Sequence, residues 1–194
     1  LSDDKFDSDN PVEQHLAENP EAVAAGLRTV GESLAAFARE CADSGVDGIY
    51  YAALGGERWR AYGASGFETA IKAADCLVLE QLEEADADLF VHICKPDVEF
   101  HPYADYPGDV FNWAAHANEL SLHEGYQLFG RPVLGGFDDR SGTLVEGSLE
   151  MIAKEARSIA EEHSDIPFML GADCTLPTNL ESARIRAAVM AMRD

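Results

Sequence analysis

Three side chains stand where they could share one metal ion. His92 and Cys94 close the apolar run Leu89-Phe90-Val91-His92-Ile93-Cys94, and Cys174 closes a second, Phe168-Met169-Leu170-Gly171-Ala172-Asp173-Cys174. Both runs read as buried strands. Positions two apart on a strand project to the same face. The imidazole of His92 and the thiol of Cys94 therefore leave one face together at the strand's end. Zinc takes cysteine sulfur and histidine nitrogen, and a catalytic zinc keeps one position open for water or substrate. Two thiols and one imidazole at the ends of two strands would make such a site. The competing reading is two buried thiols beside a hydrogen-bonded histidine, because free cysteine is among the most buried residue types.

Other polar residues gather just after strand-like runs: Tyr50 and Tyr51, Asn112 and His116, Asp138 and Asp139, and Asp173. Asp138 and Asp173 are candidate catalytic residues that could orient a small-molecule substrate. With Asp139 they could also hydrogen-bond a metal ligand, since ligating histidines usually need a partner on the other ring nitrogen. As alternatives, Asp138 is a turn residue and Asp139 a solvated one. Tyr50 and Tyr51 alternate, so one of them faces inward, as packing in the bland case. Trp59 and Trp113 read as packing. The loop 96–108, rich in Pro, Tyr and acid, either covers the site or is plain surface.

The elements that must position these groups alternate. Residues 20–44 carry Leu27, Val30, Leu34, Phe37 and Cys41 at helical spacing, and Gly45 stops them. A strand is expected from Gly48 to Ala53, a helix over 66–84, and the His92 strand over 88–94. A short strand follows from Val110 to Ala115, a helix over 117–129 and a strand from Val133 to Phe137. A helix over 146–163, with Leu149, Ile152, Ala156 and Ile159 inward, leads to the strand 168–174 and a closing helix over 179–193. Strands alternating with amphipathic helices argue for an α/β fold with a parallel sheet. The near-continuous apolar strands agree. No glycine-rich phosphate loop follows the first strand, which removes the usual signature of a nucleotide site. Polar residues at strand ends are what a (β/α)8 barrel requires, because its sites lie at that end.

The 194 residues hold 46% hydrophobic side chains, enough for one domain with a real core. The formal net charge is -22, from 36 acidic and 14 basic residues. Such a surface repels nucleic acid and anionic membranes, so neither is an expected partner. No apolar run is long enough to cross a bilayer, and the first residues do not resemble a signal peptide. Cys41 and Cys76 fall in helical patterns and read as inert core thiols. Four cysteines without tight disulfide spacing then point to a reducing cytoplasm.

These segments resemble the uroporphyrinogen decarboxylase superfamily, a set of (β/α)8 barrels. Ser44-Gly45-Val46-Asp47-Gly48-Ile49-Tyr50-Tyr51 is similar to that family's fourth strand with its preceding turn. Leu134-Gly135-Gly136-Phe137-Asp138 is similar to the seventh and Gly171-Ala172-Asp173-Cys174-Thr175-Leu176-Pro177 to the eighth. The likeness runs from about residue 20 to the end, and barrel strands one to three have no counterpart. It implies a partial barrel, roughly strands four to eight, with residues 1–19 as a connecting segment. It also implies that a homo-oligomeric partner or a missing N-terminal half covers the open sheet edge. The superfamily's zinc-dependent methyltransferases carry His-x-Cys on the fifth strand and Cys on the eighth, which are His92, Cys94 and Cys174 here. The resemblance thus implies zinc, a corrinoid-type methyl carrier, held by a corrinoid protein in some members, and a thiol or ether substrate. The fourth metal position has no matching glutamate, and His116 and Glu119 are the replacements at hand. The alternative branch decarboxylates uroporphyrinogen in porphyrin biosynthesis without a metal. Its late histidine would fall near Asp173, and its substrate-holding residues lie on strands this chain lacks. A non-catalytic barrel fragment is the third reading.

Overall fold

The computed structural model describes residues 11–83 and 85–193. Five strands form one sheet: β1 Gly48–Ala53, β2 Asp88–Ile93, β3 Val110–Trp113, β4 Val133–Phe137 and β5 Phe168–Ala172. Their order is β1-β2-β3-β4-β5, and every pairing is parallel. Each strand lies beside its neighbour in sequence. Right-handed crossovers repeated without reversal keep the connecting helices on one face. The sheet is not closed, and β1 and β5 are its two edges among the described residues.

The helices are α1 Pro11–Glu18, α2 Pro20–Asp43, α3 Trp59–Gly66, α4 Ala73–Glu80, α5 Leu122–Phe129, α6 Gly142–Glu146, α7 Leu149–Glu162 and α8 Ser182–Ala191. Local chemistry sets their ends. Asn19 caps α2 by accepting from the Ala22 N–H at 3.2 Å, with Pro20 in the first turn. Gly45 leaves α2 with φ 87°, a conformation that suits glycine. Ser121 and Glu124 form a capping box on α5, so that helix begins later than the expected 117. The helix expected over 146–163 is α7, which starts later because Ser148 caps it, and a separate short helix, α6, precedes it and ends at Gly147. The helix expected over 66–84 begins earlier, bends at Gly63 with φ 68°, and passes through a π-helical stretch, Phe67–Lys72, before α4.

The helix-facing side of the sheet is apolar. Leu89, Val91 and Ile93 of β2, Phe111 and Trp113 of β3, and Val133 of β4 are buried in one cluster. Phe111 stacks on Phe129 of α5 with ring centroids 4.3 Å apart, and the Trp113 Nε1–H donates to the Leu120 carbonyl at 2.9 Å. A second cluster joins Phe137 of β4 to Leu144, Ile152, Ala156, Ile159 and Ala188.

Two inward faces differ from expectation. On α2 the apolar stripe Val30, Leu34 and Phe37 is exposed, Phe37 by 68%. The buried face is instead Gly31, Ala35 and Ala38. Small residues let α2 approach α4 closely, and a Cβ on Gly31 would sit 3.1 Å from the Ala74 carbonyl oxygen. On α7, Leu149 at the first turn is exposed while Ile152, Ala156 and Ile159 pack inward as expected.

One buried carboxylate lies on the helix side of the sheet. Asp75 of α4 accepts from the Tyr51 hydroxyl at 2.6 Å and the Tyr106 hydroxyl at 3.0 Å. Burial pushes its pKa up to about 6, against the opposing pull of those two hydrogen bonds. Between pH 4 and 6 the native chain therefore keeps a proton that the unfolded chain has lost. Stability should fall as pH rises through that window, by about 3 kcal/mol from this group. We predict that Asp75→Asn removes this part of the slope. Urea denaturation at pH 4.5 and 7, wild type against variant, measures it, and an unchanged slope would refute the assignment.

Candidate metal centre

The sheet brings distant strand ends together. Cys94 follows β2 and Cys174 follows β5, three strands apart in the order. In a flat sheet three spacings of about 4.8 Å separate such ends by ~14 Å. The two sulfurs are 3.9 Å apart. The sheet is therefore strongly curled, with the site on its concave side. One ring nitrogen of His92 and the two sulfurs all lie within 4.8 Å of one another. Tetrahedral zinc with Zn–S bonds of about 2.3 Å would place two sulfurs about 3.8 Å apart. Among the described residues this is the one histidine, cysteine and acid cluster with metal-binding spacing.

The state of His92 follows from a neighbouring amide. Asn112 of β3 is fully buried. Its Nδ2 donates to the carbonyls of Leu134 at 2.8 Å and Ala172 at 3.1 Å. That pairing turns its Oδ1 toward Tyr50 and His92. The Tyr50 hydroxyl donates to Oδ1, and His92 Nδ1 lies 2.5 Å from it. An amide oxygen only accepts, so Nδ1 carries the hydrogen and the lone pair sits on Nε2. Nε2 is buried and has no hydrogen-bond partner among the described residues. A buried acceptor left unmatched costs about 1–3 kcal/mol. Tyr50 also stacks on the His92 ring, with centroids 5.5 Å apart. The imidazole is thus clamped in the tautomer and orientation that a metal ligand needs.

The electrostatics agree with a cation-seeking set. Burial lowers the His92 pKa, which keeps the ring neutral, although the Asn112 hydrogen bond acts the other way. Burial first, and then the neighbouring Cys174, push the Cys94 thiol up to about 11. Without a cation Cys94 stays protonated at neutral pH, whereas a coordinated thiol is deprotonated.

The backbone beside Cys94 is strained. Lys95 has φ 90° and Asp97 φ 57°, uncommon values for residues with a Cβ. Asn118 holds this turn. Its Nδ2 donates to the Lys95 and Ala114 carbonyls, and its Oδ1 accepts from the Val98 N–H at 2.9 Å. A recess of about 510 Å³ is lined by Cys94, Lys95, Asp139, Arg140, Cys174 and Thr175, among others. A larger one of about 930 Å³ includes Asp97, Glu99, His101, His116 and Glu119, and shares Ala117 with the first. Residues 97–101 of the loop 96–108 thus line the larger recess next to the site.

The remaining sequence candidates separate. Asp173 is 1% exposed, and its Oδ2 accepts from the His116 backbone N–H at 2.8 Å and from His116 Nδ1 at 3.0 Å. Burial raises its pKa, partly offset by those bonds. Asp139 is buried against the thiol recess, and burial raises its pKa too. Asp138 closes a turn, accepting from the N–H groups of Arg140 and Ser141 and from the Ser141 hydroxyl at 2.6 Å. Burial opposes its ionisation, but these bonds prevail and its pKa falls. His116 and Glu119 are not in the metal-spaced cluster. Tyr50 faces the site, whereas Tyr51 points to the helix side. Trp113 is core. Asn112 and Asn118 carry roles the sequence reading did not assign. The available signal was an amide inside the otherwise apolar strand Val110-Phe111-Asn112-Trp113.

The chain shares its fold with a methyltransferase from Methanosarcina mazei. The two superpose with a TM-score of 0.75 at 17% sequence identity, over 94% of this chain and 52% of the other. The chain therefore spans about half the length of that protein. No protein-family model matches it, and no curated protein matches it in sequence. Among the described residues, no helix is long and apolar enough to cross a membrane.

Asn112→Leu removes the acceptor that orients His92 and strands two carbonyls. We predict zinc affinity 10- to 100-fold weaker, together with a lower melting temperature. Competition with a chromophoric chelator measures the affinity. Wild-type affinity in the variant would show that the amide does not orient the ligand.

Proposed function

We propose that this chain carries the zinc centre of a methyltransferase, with His92 Nε2, Cys94 Sγ and Cys174 Sγ as its protein ligands. The observation that carries the reading is a buried imidazole, its Nε2 without a partner among the described residues, within 4.8 Å of two sulfurs already at zinc-compatible separation. The shared fold with a methyltransferase supports it. When bound, zinc would supply Lewis acidity that lowers the pKa of a thiol or polarises an ether oxygen. The protein's part is to hold a neutral imidazole in one tautomer and two thiols on one side of the sheet. Two thiolates would balance the metal's charge, which leaves an incoming thiolate nucleophilic. The methyl carrier is a corrinoid-type cofactor, brought by a corrinoid protein, and the acceptor or donor is a small thiol or ether that enters the recess lined by Cys94, Asp139 and Cys174. Asp173 acts from beside Cys174, and Asp138 through the turn that presents Asp139. The strands correspond to four to eight of a (β/α)8 barrel of the uroporphyrinogen decarboxylase superfamily. Free, metal-ready thiols fit a reducing compartment, the cytoplasm.

The exposed stripe on α2 and the edges of β1 and β5, unpaired among the described residues, call for a cover. At a net charge of -22 a second copy would repel the first. We infer that the cover is a polypeptide segment of different charge, equivalent to the remaining half of a barrel. In the chain alone, edge amides of β1 and β5 should exchange with solvent at least tenfold faster than those of β3. Equal protection on all three strands in a monomer would count against a missing cover.

Metal analysis tests the central reading. One zinc per chain is expected, with most of it lost in Cys94→Ala and Cys174→Ala. Because Cys94 is held protonated, loading should release at least one proton. Apparent affinity should then drop about tenfold per pH unit per proton as pH falls. Absence of zinc from a protein that decarboxylates uroporphyrinogen would replace this reading with the metal-free one.

A further inference from the structure

We propose that His116, held by Asp173, is the base that takes the proton from a thiol substrate at the metal centre. The inference rests on the zinc reading and adds to it a residue outside the ligand set.

His116 sits on the short 3-10 turn Ala115–Ala117 that follows β3. Asp173 grips it twice through one oxygen, at the backbone N–H and at Nδ1. A carboxylate only accepts, so Nδ1 carries the hydrogen and Nε2 keeps a free lone pair. The two partners are buried unequally: the aspartate side chain is 1% exposed and the histidine side chain 50%. The orienting group is hidden and the acting group is open. Placement is equally specific. Asp173 directly precedes the ligand Cys174. Ala114 and Ala117, on either side of the turn, line the recess that contains both sulfurs. His116 itself lines the larger recess, which shares Ala117. The backbone on either side of His116 thus borders the thiol recess, while the imidazole opens into the adjoining larger recess.

Methyl transfer to a thiol requires such a base. The S–H bond breaks and its proton passes to His116 Nε2. The S–CH₃ bond then forms as the carrier–CH₃ bond breaks, and that bond's electron pair stays on the corrinoid-type carrier. The imidazolium produced faces the Asp173 carboxylate, which compensates its charge. Of the other charged groups on the thiol recess, Lys95 and Arg140 are donors, and Asp139 lies 3.9 Å from the Arg140 Nε.

Cobalt(II) substituted at the site gives a readout independent of turnover. 2-Mercaptoethanol serves as the probe, and the sulfur-to-cobalt absorption band reports its binding as thiolate. His116→Gln and His116→Ala should keep the metal content and the far-ultraviolet dichroism of wild type. They should form the band about 100-fold more slowly, in line with the usual contribution of a positioned base. Added imidazole should restore part of the rate in His116→Ala. Wild-type band formation in both variants would overturn the proposal. So would loss of metal from His116→Gln or failure of imidazole to rescue, either of which makes the residue structural. Failure of the wild-type protein to bind cobalt or zinc would instead refute the metal reading beneath it.

Discussion

The amide of Asn112 touches every strand of the sheet. From β3 it accepts from Tyr50 of β1 and His92 of β2, and it donates to backbone carbonyls of Leu134 in β4 and Ala172 in β5. A side chain on β3 can reach a carbonyl on β5 only if the sheet bends around it. The bend is the same one that carries Cys94 and Cys174 to within 3.9 Å of each other. Curvature and sulfur convergence accompany one buried, fully bonded polar group, and the histidine tautomer follows from it. Buried polar networks whose members are all satisfied are rigid. Among the described residues the network leaves one atom without a partner, His92 Nε2, on the imidazole that lies within 4.8 Å of the two thiols.

Around this amide the site is built by side chains bonding to backbone rather than by regular pairing. Asn118 fixes the strained turn at Lys95 that carries the chain away from Cys94. Asp173 fixes the turn that carries it away from β3. Asp138 fixes the turn after β4. Asp138 and Asp173 lie just beyond a strand and Asn118 just past the 3-10 turn after β3, where the ladder has ended and backbone groups lose their partners. A short amide or carboxylate supplies the missing bond and sets the direction of the next segment. The exposed groups of the site, His116 and the recess around Asp139, take their positions from these turns.

How much was legible in the sequence follows from which signals are local. The five strands, their parallel sense and their boundaries within a residue or two could be read from apolar runs of fixed period. His92 and Cys94 could be placed on a common face because two-residue spacing on a strand fixes it, whereas joining Cys174 to them, 80 positions on, took its strand-end position and the family resemblance. The role of Asn112 could not, since its partners lie 20, 62, 22 and 60 positions away. The face of α2 was misread for a related reason. Its larger residues, Val30, Leu34 and Phe37, make the stronger periodic signal, yet Gly31, Ala35 and Ala38 face the neighbours because only they allow close helix contact. Hydrophobic periodicity locates a stripe; it does not say what the stripe meets. Asp138 shows the same limit at a strand end, where one position offers both a turn and a site.

An open sheet raises the question of whether ligands on β2 and β5 would splay apart without a further half to close it. The hydrogen bonds answer it. The restraint on these residues runs from Ala172 of the edge strand β5 through Asn112 to His92, a cross-link between that strand and the middle of the sheet that is complete without a further strand. The contacts that position His92, Cys94 and Cys174 lie within residues 48–174, whereas β1 and β5 are edges and Val30, Leu34 and Phe37 of α2 are exposed among the described residues. The geometry of the candidate centre and the open surfaces are therefore separate features of the fold.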